Sequence, residues 1–309
     1  MTTTMSLHPR LDDLLELRHQ AHKLGLSSHH LVNSSFAGLY ASVFRGAGVN
    51  FEEVRDYREG DDIRYMDWKV TARTDRPHLK IFREERERSV VLCLDKGPHM
   101  NFGTRGTFKS VQAARAAALI GWAASRLNDR VGGLVFGDPR AGLQHFRPSR
   151  GRRALWQLLR TLTEPGSAPE ASVDCLAGAL KRAATGLPTG SLVFVIADLN
   201  REVMGLERAL GDLTQRNSVV LIPVDDPADR EIPAMGVVTF AGTDGRLIEI
   251  DTADPQAQRA FSEAWEQRRD LLQAIAHRLH IILLPVRTNE EIHLTLIRAL
   301  EQRARSRGV

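Results

Sequence analysis

Apolar positions along this chain follow two alternating patterns. From Ser89 onward, short runs recur that are almost wholly apolar: SVVLCLD at 89–95, VGGLVFG at 131–137, SLVFVIAD at 191–198, SVVLIPV at 218–224 and IILLPV at 281–286. A strand without polar alternation is buried on both faces, which is the situation of a strand inside a parallel sheet. Between these runs, apolar residues fall three and four apart, the helical spacing. This predicts helices at about 109–127, 151–163, 173–185, 202–215 and 256–279, and a closing helix at 289–304 capped by Thr288 or Asn289. A partner strand is expected near 143–147. Buried strands alternating with amphipathic helices make βαβ units and a parallel sheet. Sites in such sheets form at the carboxyl ends of the strands, where Asp95 and Asp198 both fall.

The rest of the chain has a different texture. Leu11, Leu14, Leu15, Leu17 and Leu24 lie at helical spacing within 8–26, which predicts an amphipathic helix packed on the body or on a partner. Residues 29–36 read as loop. Over 37–88, glycines punctuate short β-compatible runs and charge is dense, the pattern of hairpins and turns. After Pro227, VVTF (237–240) and LIEI (247–250) flank Asp244-Gly245, a strong hairpin signal. The expected organisation is therefore an N-terminal helix and loop (1–36), a small β-rich subdomain (37–88), an α/β domain (89–290) and a C-terminal helix (291–309).

Composition narrows the function classes. The chain has 309 residues, 42% hydrophobic and 26% charged, enough for a packed core. Its net charge is +4, and only six of the 42 basic residues are lysine. The 38 acidic residues can pair with most of the arginines. Arg150, Arg152 and Arg153 open a helix, against the dipole, and so hint at an anionic partner. No aromatics interleave with the arginines, so nucleic acid is not the expected partner. Cys93 and Cys175 read as reduced, buried thiols. No run approaches the ~18 apolar residues of a membrane span, and MTTTMSLHPR lacks a signal-peptide core. The expected location is cytoplasmic. Gly103 to Ser110 lacks the register of a phosphate loop, and neither G-x-S-x-G nor HExxH occurs.

The most distinctive segment is GVNFEEVRDYREGDDIRYMDWKVTAR, from Gly48 to Arg73. It carries Gly48, Glu52, Arg55, Tyr57, Gly60, Asp61, Asp62, Arg64, Asp67, Trp68, Ala72 and Arg73. Arg55, Arg64 and Arg73 interleave with carboxylates that guanidinium groups can clamp in bidentate fashion. That arrangement suits a salt-bridged latch or a partner-docking surface. Paired Asp61 and Asp62 at a turn ordinarily cap backbone amides, and Trp68 is expected as a core or interdomain anchor. These positions resemble the signature of the bacterial domain of unknown function 58 family. The likeness continues through Met100-Asn101-Phe102-Gly103, Lys109, Asp129-Arg130-Val131-Gly132 and Asp226-Pro227.

The resemblance implies a von Willebrand A-like fold, a doubly wound and mostly parallel sheet. It also implies a non-catalytic adaptor that works with a MoxR-type AAA+ ATPase or with other von Willebrand A-domain proteins. In that fold the first strand ends in D-x-S-x-S, and a Thr and an Asp from two further loops complete an oxygen site suited to Mg²⁺. Here Asp95 is present, Gly97 and His99 stand in the Ser positions, the Thr position falls near Asp174, and Asp198 matches the third-loop Asp. This is a degenerate MIDAS, in which Lys96 or a protonated His99 is expected to neutralise Asp95 and Asp198. No cofactor is expected. Weakened Mg²⁺ or Mn²⁺ binding through Asp95 and Asp198 remains open, as does a His99-assisted transition-metal site. Two other functions also stay open: a metal-dependent hydrolase using Asp95 and Asp198, with Asp174 converging on them, and arginine-mediated nucleic-acid binding.

Overall fold

The computed structural model describes residues 7–21, 53–57, 66, 68–74, 76–81, 89–138, 140–165, 176–200, 205–241 and 246–298. The chain divides into two compact units, residues 41–87 and the remainder.

In the smaller unit, β1 (Glu53–Asp56) pairs antiparallel with β2 (His78–Ile81), with Glu53 opposite Ile81 and Asp56 opposite His78. The Tyr57 amide continues the ladder by donating to the Pro77 carbonyl at 2.8 Å. The sequence pattern predicts hairpins and turns here, and the chain also forms a helix over Trp68–Thr74. It is fastened locally: the His78 amide donates to Thr71 Oγ1 at 3.0 Å, and the Thr74 hydroxyl donates to the Val70 carbonyl at 2.9 Å. Lys69, Ala72 and Arg73 are competent helix formers, and that propensity outweighs the β-compatible texture around them.

The larger unit is built on one sheet. Its strands are β3 (Ser89–Asp95), β4 (Arg130–Asp138), β5 (Gly142–Ser149), β6 (Leu192–Ala197) and β7 (Ser218–Asp225). A hairpin of β8 (Val237–Ala241) and β9 (Leu247–Asp251) stands apart as its own two-stranded sheet. The apolar run at 281–286 predicts one late strand. Two short ones form instead, β10 (Ile282–Leu283) and β11 (Val286–Arg287), both parallel to β7. Pro285 has no amide to give the ladder, so pairing breaks there.

The sheet order is β10-β7-β6-β3-β4-β5. All neighbours along it are parallel except β5, which lies antiparallel at the edge with bulges against β4. Every residue of β3 and β6 is buried, as the unbroken apolar runs require. On one face, Val91, Cys93, Val193 and Val195 pack in a core with Leu180, Leu210 and Leu272, which come from the helices Leu176–Gly186, Leu206–Thr214 and Pro255–Arg278. Burial in this core pushes the Cys93 thiol up to about 12. Over β3 lies the alanine-rich Lys109–Arg126 helix, buried on nearly every side, with the Arg153–Thr163 helix beside it. This mixed α/β architecture, helices around a mostly parallel sheet, is the expected fold class.

The N-terminal helix, Leu11–Ala21, packs on the body. Leu14, Leu17 and Ala21 are buried, and Trp122 Nε1 donates to the Leu14 carbonyl at 2.9 Å. Each leucine buried this way contributes about 1.5–3 kcal/mol. The last helix begins at residue 292, later than expected. Its first turn starts on the Glu291 carbonyl, and the Thr288 hydroxyl is engaged elsewhere. Among the described residues, no helix is long and apolar enough to cross a membrane.

Candidate functional site

Three adjacent strands, β3, β6 and β7, deliver acidic residues to the carboxyl edge of the sheet. At the end of β3, Asp95 is buried. Its Oδ1 accepts the Gly97 amide at 2.9 Å and its Oδ2 accepts His99 Nε2 at 2.8 Å. Pro98 starts a single 3-10 turn that swings His99 back over the aspartate. The glycine at 97 leaves room for the His99 ring over Asp95. A Cβ there would lie 2.3 Å from His99 Cε1, so the imidazole fills the room a serine side chain would need. Gly137 makes similar room from the neighbouring strand: at φ +91° it sits where a Cβ would come within 2.7 Å of Asp95 Oδ1. Lys96 turns the other way. Its Nζ donates to the Thr161 carbonyl at 2.9 Å and lies 3.7 Å from Asp138 Oδ2. The expectation that Lys96 neutralises Asp95 and Asp198 is therefore corrected.

The cation at Asp198 is Lys109, the first residue of its helix. Lys109 Nζ donates to Asp198 Oδ2 at 2.6 Å and to Asp229 Oδ1 at 2.9 Å, with Asp229 Oδ2 at 2.8 Å. The Phe102 ring centroid lies 5.5 Å from the same ammonium and covers it, in cation–π contact. Lys109 is only 2% exposed, and an unpaired ammonium so buried would be untenable. Burial alone would lower its pKa, but Asp198 and Asp229 outweigh burial and hold it above its ordinary value. One ammonium between two carboxylates leaves an excess negative charge. That excess falls on Asp229, whose carboxyl is raised by burial first and by Asp198 after it, against the pull of Lys109.

Asn200 and the β7 loop extend the network. The Asn200 amide donates to Asp198 Oδ1 at 2.9 Å, and its side-chain Nδ2 bridges Asp225 Oδ1 at 2.9 Å and Asp229 Oδ2 at 3.0 Å. Asp225 also receives a short charged hydrogen bond from Arg269, whose guanidinium lies 5.0 Å from the Trp265 ring. Asp226 caps the turn Pro227–Arg230 in a capping box with Asp229. It also accepts the Thr104 amide, the Thr104 hydroxyl and, at 2.6 Å, the Thr288 hydroxyl. Burial would raise the Asp226 carboxyl, but these hydrogen bonds bring it below its ordinary value. Five chain segments thus meet in one polar network: the loops after β3, β6 and β7, the segment following β11, and the Pro255–Arg278 helix.

Among the described residues, no three carboxylate, imidazole or thiol side chains gather as a metal could use them. Asp95 and Asp198 reach the same edge, yet one is held by His99 and the other by Lys109. Asp174 lies outside the described residues, as do Gly60, Asp61, Asp62, Arg64 and Asp67 of the signature and Cys175. Arg55 lies in β1, Tyr57 is half-buried and Arg73 is exposed in the last turn of its helix. Trp68, expected as a core or interdomain anchor, opens that helix 69% exposed and is not a core residue. Sequence reasoning missed Lys109, Asn200, Asp225, Asp229 and Arg269 as site residues. Lys109 did carry a signal: a lysine at the first position of a helix opposes the dipole and needs a local anion to justify it.

The family model described as "Protein of unknown function DUF58" matches residues 53–271. Uncharacterized protein Rv1480 of Mycobacterium tuberculosis is 28% identical over 268 residues, covering 87% of this chain and 84% of its own, and Mb1516 of Mycobacterium bovis matches equally. The crystal structure of conserved hypothetical protein BatB from Bacteroides thetaiotaomicron superposes with a TM-score of 0.40 at 16% identity, over 71% of this chain and 99% of that one. The SpRpn10 VWA domain gives 0.38 at 12% identity, over 70% and 94%. The strand order, and not these loose superpositions, carries the fold assignment.

Proposed function

This chain belongs to the DUF58 family of proteins of unknown function, and on that premise we propose that it is a non-catalytic protein-interaction module acting as an adaptor for a MoxR-type AAA+ ATPase. The single observation that carries the reading is the closed polar network at the carboxyl edge. Asp198, Asp225, Asp226 and Asp229 are tied to the chain's own donors, so the described residues of the rim are pinned to one another. A preorganised rim favours recognition, because little ordering is lost on binding. A metal-dependent hydrolase needs carboxylates free to ligate its metal ion. Here the two aspartates on which a hydrolase would depend, Asp95 and Asp198, are held by His99 and Lys109.

The partner reads the rim around Asp95, His99 and Asp198, with Phe102, 42% exposed, as its apolar contact. The Arg55–Arg73 segment is a second docking element. The identity of the partner class rests on the family resemblance alone. The test is affinity capture of the full chain from native lysate, with bound proteins identified by mass spectrometry. A MoxR-type ATPase should be recovered, and Phe102→Ala or Arg64→Ala should deplete it while each variant remains folded at the capture temperature. Recovery of no AAA+ ATPase, or full capture by both variants, would count against the reading.

A further inference from the structure

The metal implied by a von Willebrand A-like fold does not fit the residues described at this edge. Three observations conflict with it. Asp198, the strongest oxygen candidate after Asp95, has Oδ2 on the Lys109 ammonium and Oδ1 on the Asn200 amide. Gly97 offers no hydroxyl, and the His99 ring fills the space where one would stand. Asp95 itself is held by His99 Nε2 and by the Gly97 amide.

We infer that Lys109 is a resident cation: its ammonium takes the place of a divalent ion's charge between Asp198 and Asp229. The coordination is complete in its own terms. Two carboxylates accept hydrogen bonds from it, and Phe102 covers it with an aromatic face. The neutralising charge is covalently part of the chain, so it cannot be chelated or exchanged. The two loops it bridges, after β6 and after β7, stay joined whatever the divalent concentration. A hard divalent ion entering this site would meet an ammonium at short range and would have to displace it from both carboxylates.

The inference is tested on the full chain. Titration with MgCl₂ and with MnCl₂ in a calorimeter should give no saturable heat up to millimolar concentration, and the unfolding midpoint should be the same in EDTA and in Mg²⁺. Saturable binding in the micromolar range overturns the inference. Lys109→Ala should lower the midpoint by about 10 °C, because it takes the cation from buried Asp198 and part-buried Asp229. Millimolar Mg²⁺ or Mn²⁺ should recover part of that loss in the variant and do nothing for the parent. No loss on substitution, or a loss that no divalent ion recovers, also overturns it, since Lys109 would then be a spacer and not a cation's stand-in. Should Lys109→Ala fail to fold, the titration of the unsubstituted chain decides alone.

Discussion

The carboxyl edge of the sheet and the β8–β9 hairpin follow opposite rules within one unit. At the edge, charged groups are buried: Asp95, Lys109, Asp198, Asp225, Asp226 and Arg269 are each less than 10% exposed. On the hairpin, apolar groups are exposed: Val237 is 68% accessible, Leu247 71% and Ile248 55%. The edge can bury charge because every charge there finds a partner within hydrogen-bond reach. In the hairpin, Phe240 faces Ile248 and Val238 faces Ile250 across the ladder, so apolar side chains cover one another on a ribbon that stays largely in water. The comparison teaches where this protein's stability is vulnerable. Removing one member of the edge network strands the others in a dry site, while removing one hairpin side chain only exposes its neighbour.

Substitutions should break that contrast in order of size. The largest effect is expected from Lys109→Ala, at about 3–5 kcal/mol of unfolding free energy, since it leaves two carboxylates without their cation. Arg269→Ala should follow at about 3 kcal/mol, because Asp225 loses its charged donor and keeps only Asn200. Urea unfolding measures both, and a cost below about 1 kcal/mol in either would mean that the network is ornamental. Gly97→Ser should cost about 1–3 kcal/mol by driving Oγ and Cβ into the imidazole. Adding His99→Ala should return part of that cost, and a double-mutant cycle isolates the coupling. At the small end, Leu247→Ser and Ile248→Ser should each stay within about 0.5 kcal/mol.

Proton concentration should separate the two regions in the same way. Asp226 has its carboxyl lowered from the ordinary 3.8, so its stabilisation is present above that value and fades as pH falls through the lower, folded value. Lys109 is raised from the ordinary 10.5, so its contribution is complete below that value and is lost as pH rises through the higher, folded one. Asp229 runs opposite to Asp226 and in the same sense as Lys109: its carboxyl is raised, so its contribution is present at low pH and is lost as pH rises through the folded value. The Thr104→Val and Thr288→Val pair should flatten the acid limb of stability against pH, and Lys109→Met the alkaline limb. Hairpin substitutions should leave both limbs unchanged.

Much of the fold is legible in the chain because β3 and β6 are continuous apolar runs and their burial admits few alternatives. Asp95 and Asp198 are legible for the same reason: a carboxylate closing a buried strand in a parallel sheet must emerge at the carboxyl edge. The short strands β10 and β11 are less so, since Pro285 interrupts a run whose hydrophobicity alone suggests one strand. The helix Trp68–Thr74 is hidden by a local texture of glycines and charges that favours turns. At the N-terminus, the leucine spacing announces a helix but not its dock, which Trp122 supplies.

What the sequence determined by itself is the alternation of buried strands and helices from Ser89 onward, the two aspartates at the edge, and the family signature between Gly48 and Arg73. What only the tertiary structure decided is which cation meets which carboxylate. By spacing, Lys96 is the neighbour of Asp95, yet it reaches Thr161 and Asp138. Lys109, 89 residues from Asp198 along the chain, closes on it at 2.6 Å. The physical reason is that pairing of buried charge is set by distance and desolvation in three dimensions. The direction a side chain takes from its backbone, inward from a helix start or outward past a strand end, is fixed only once the layers have packed.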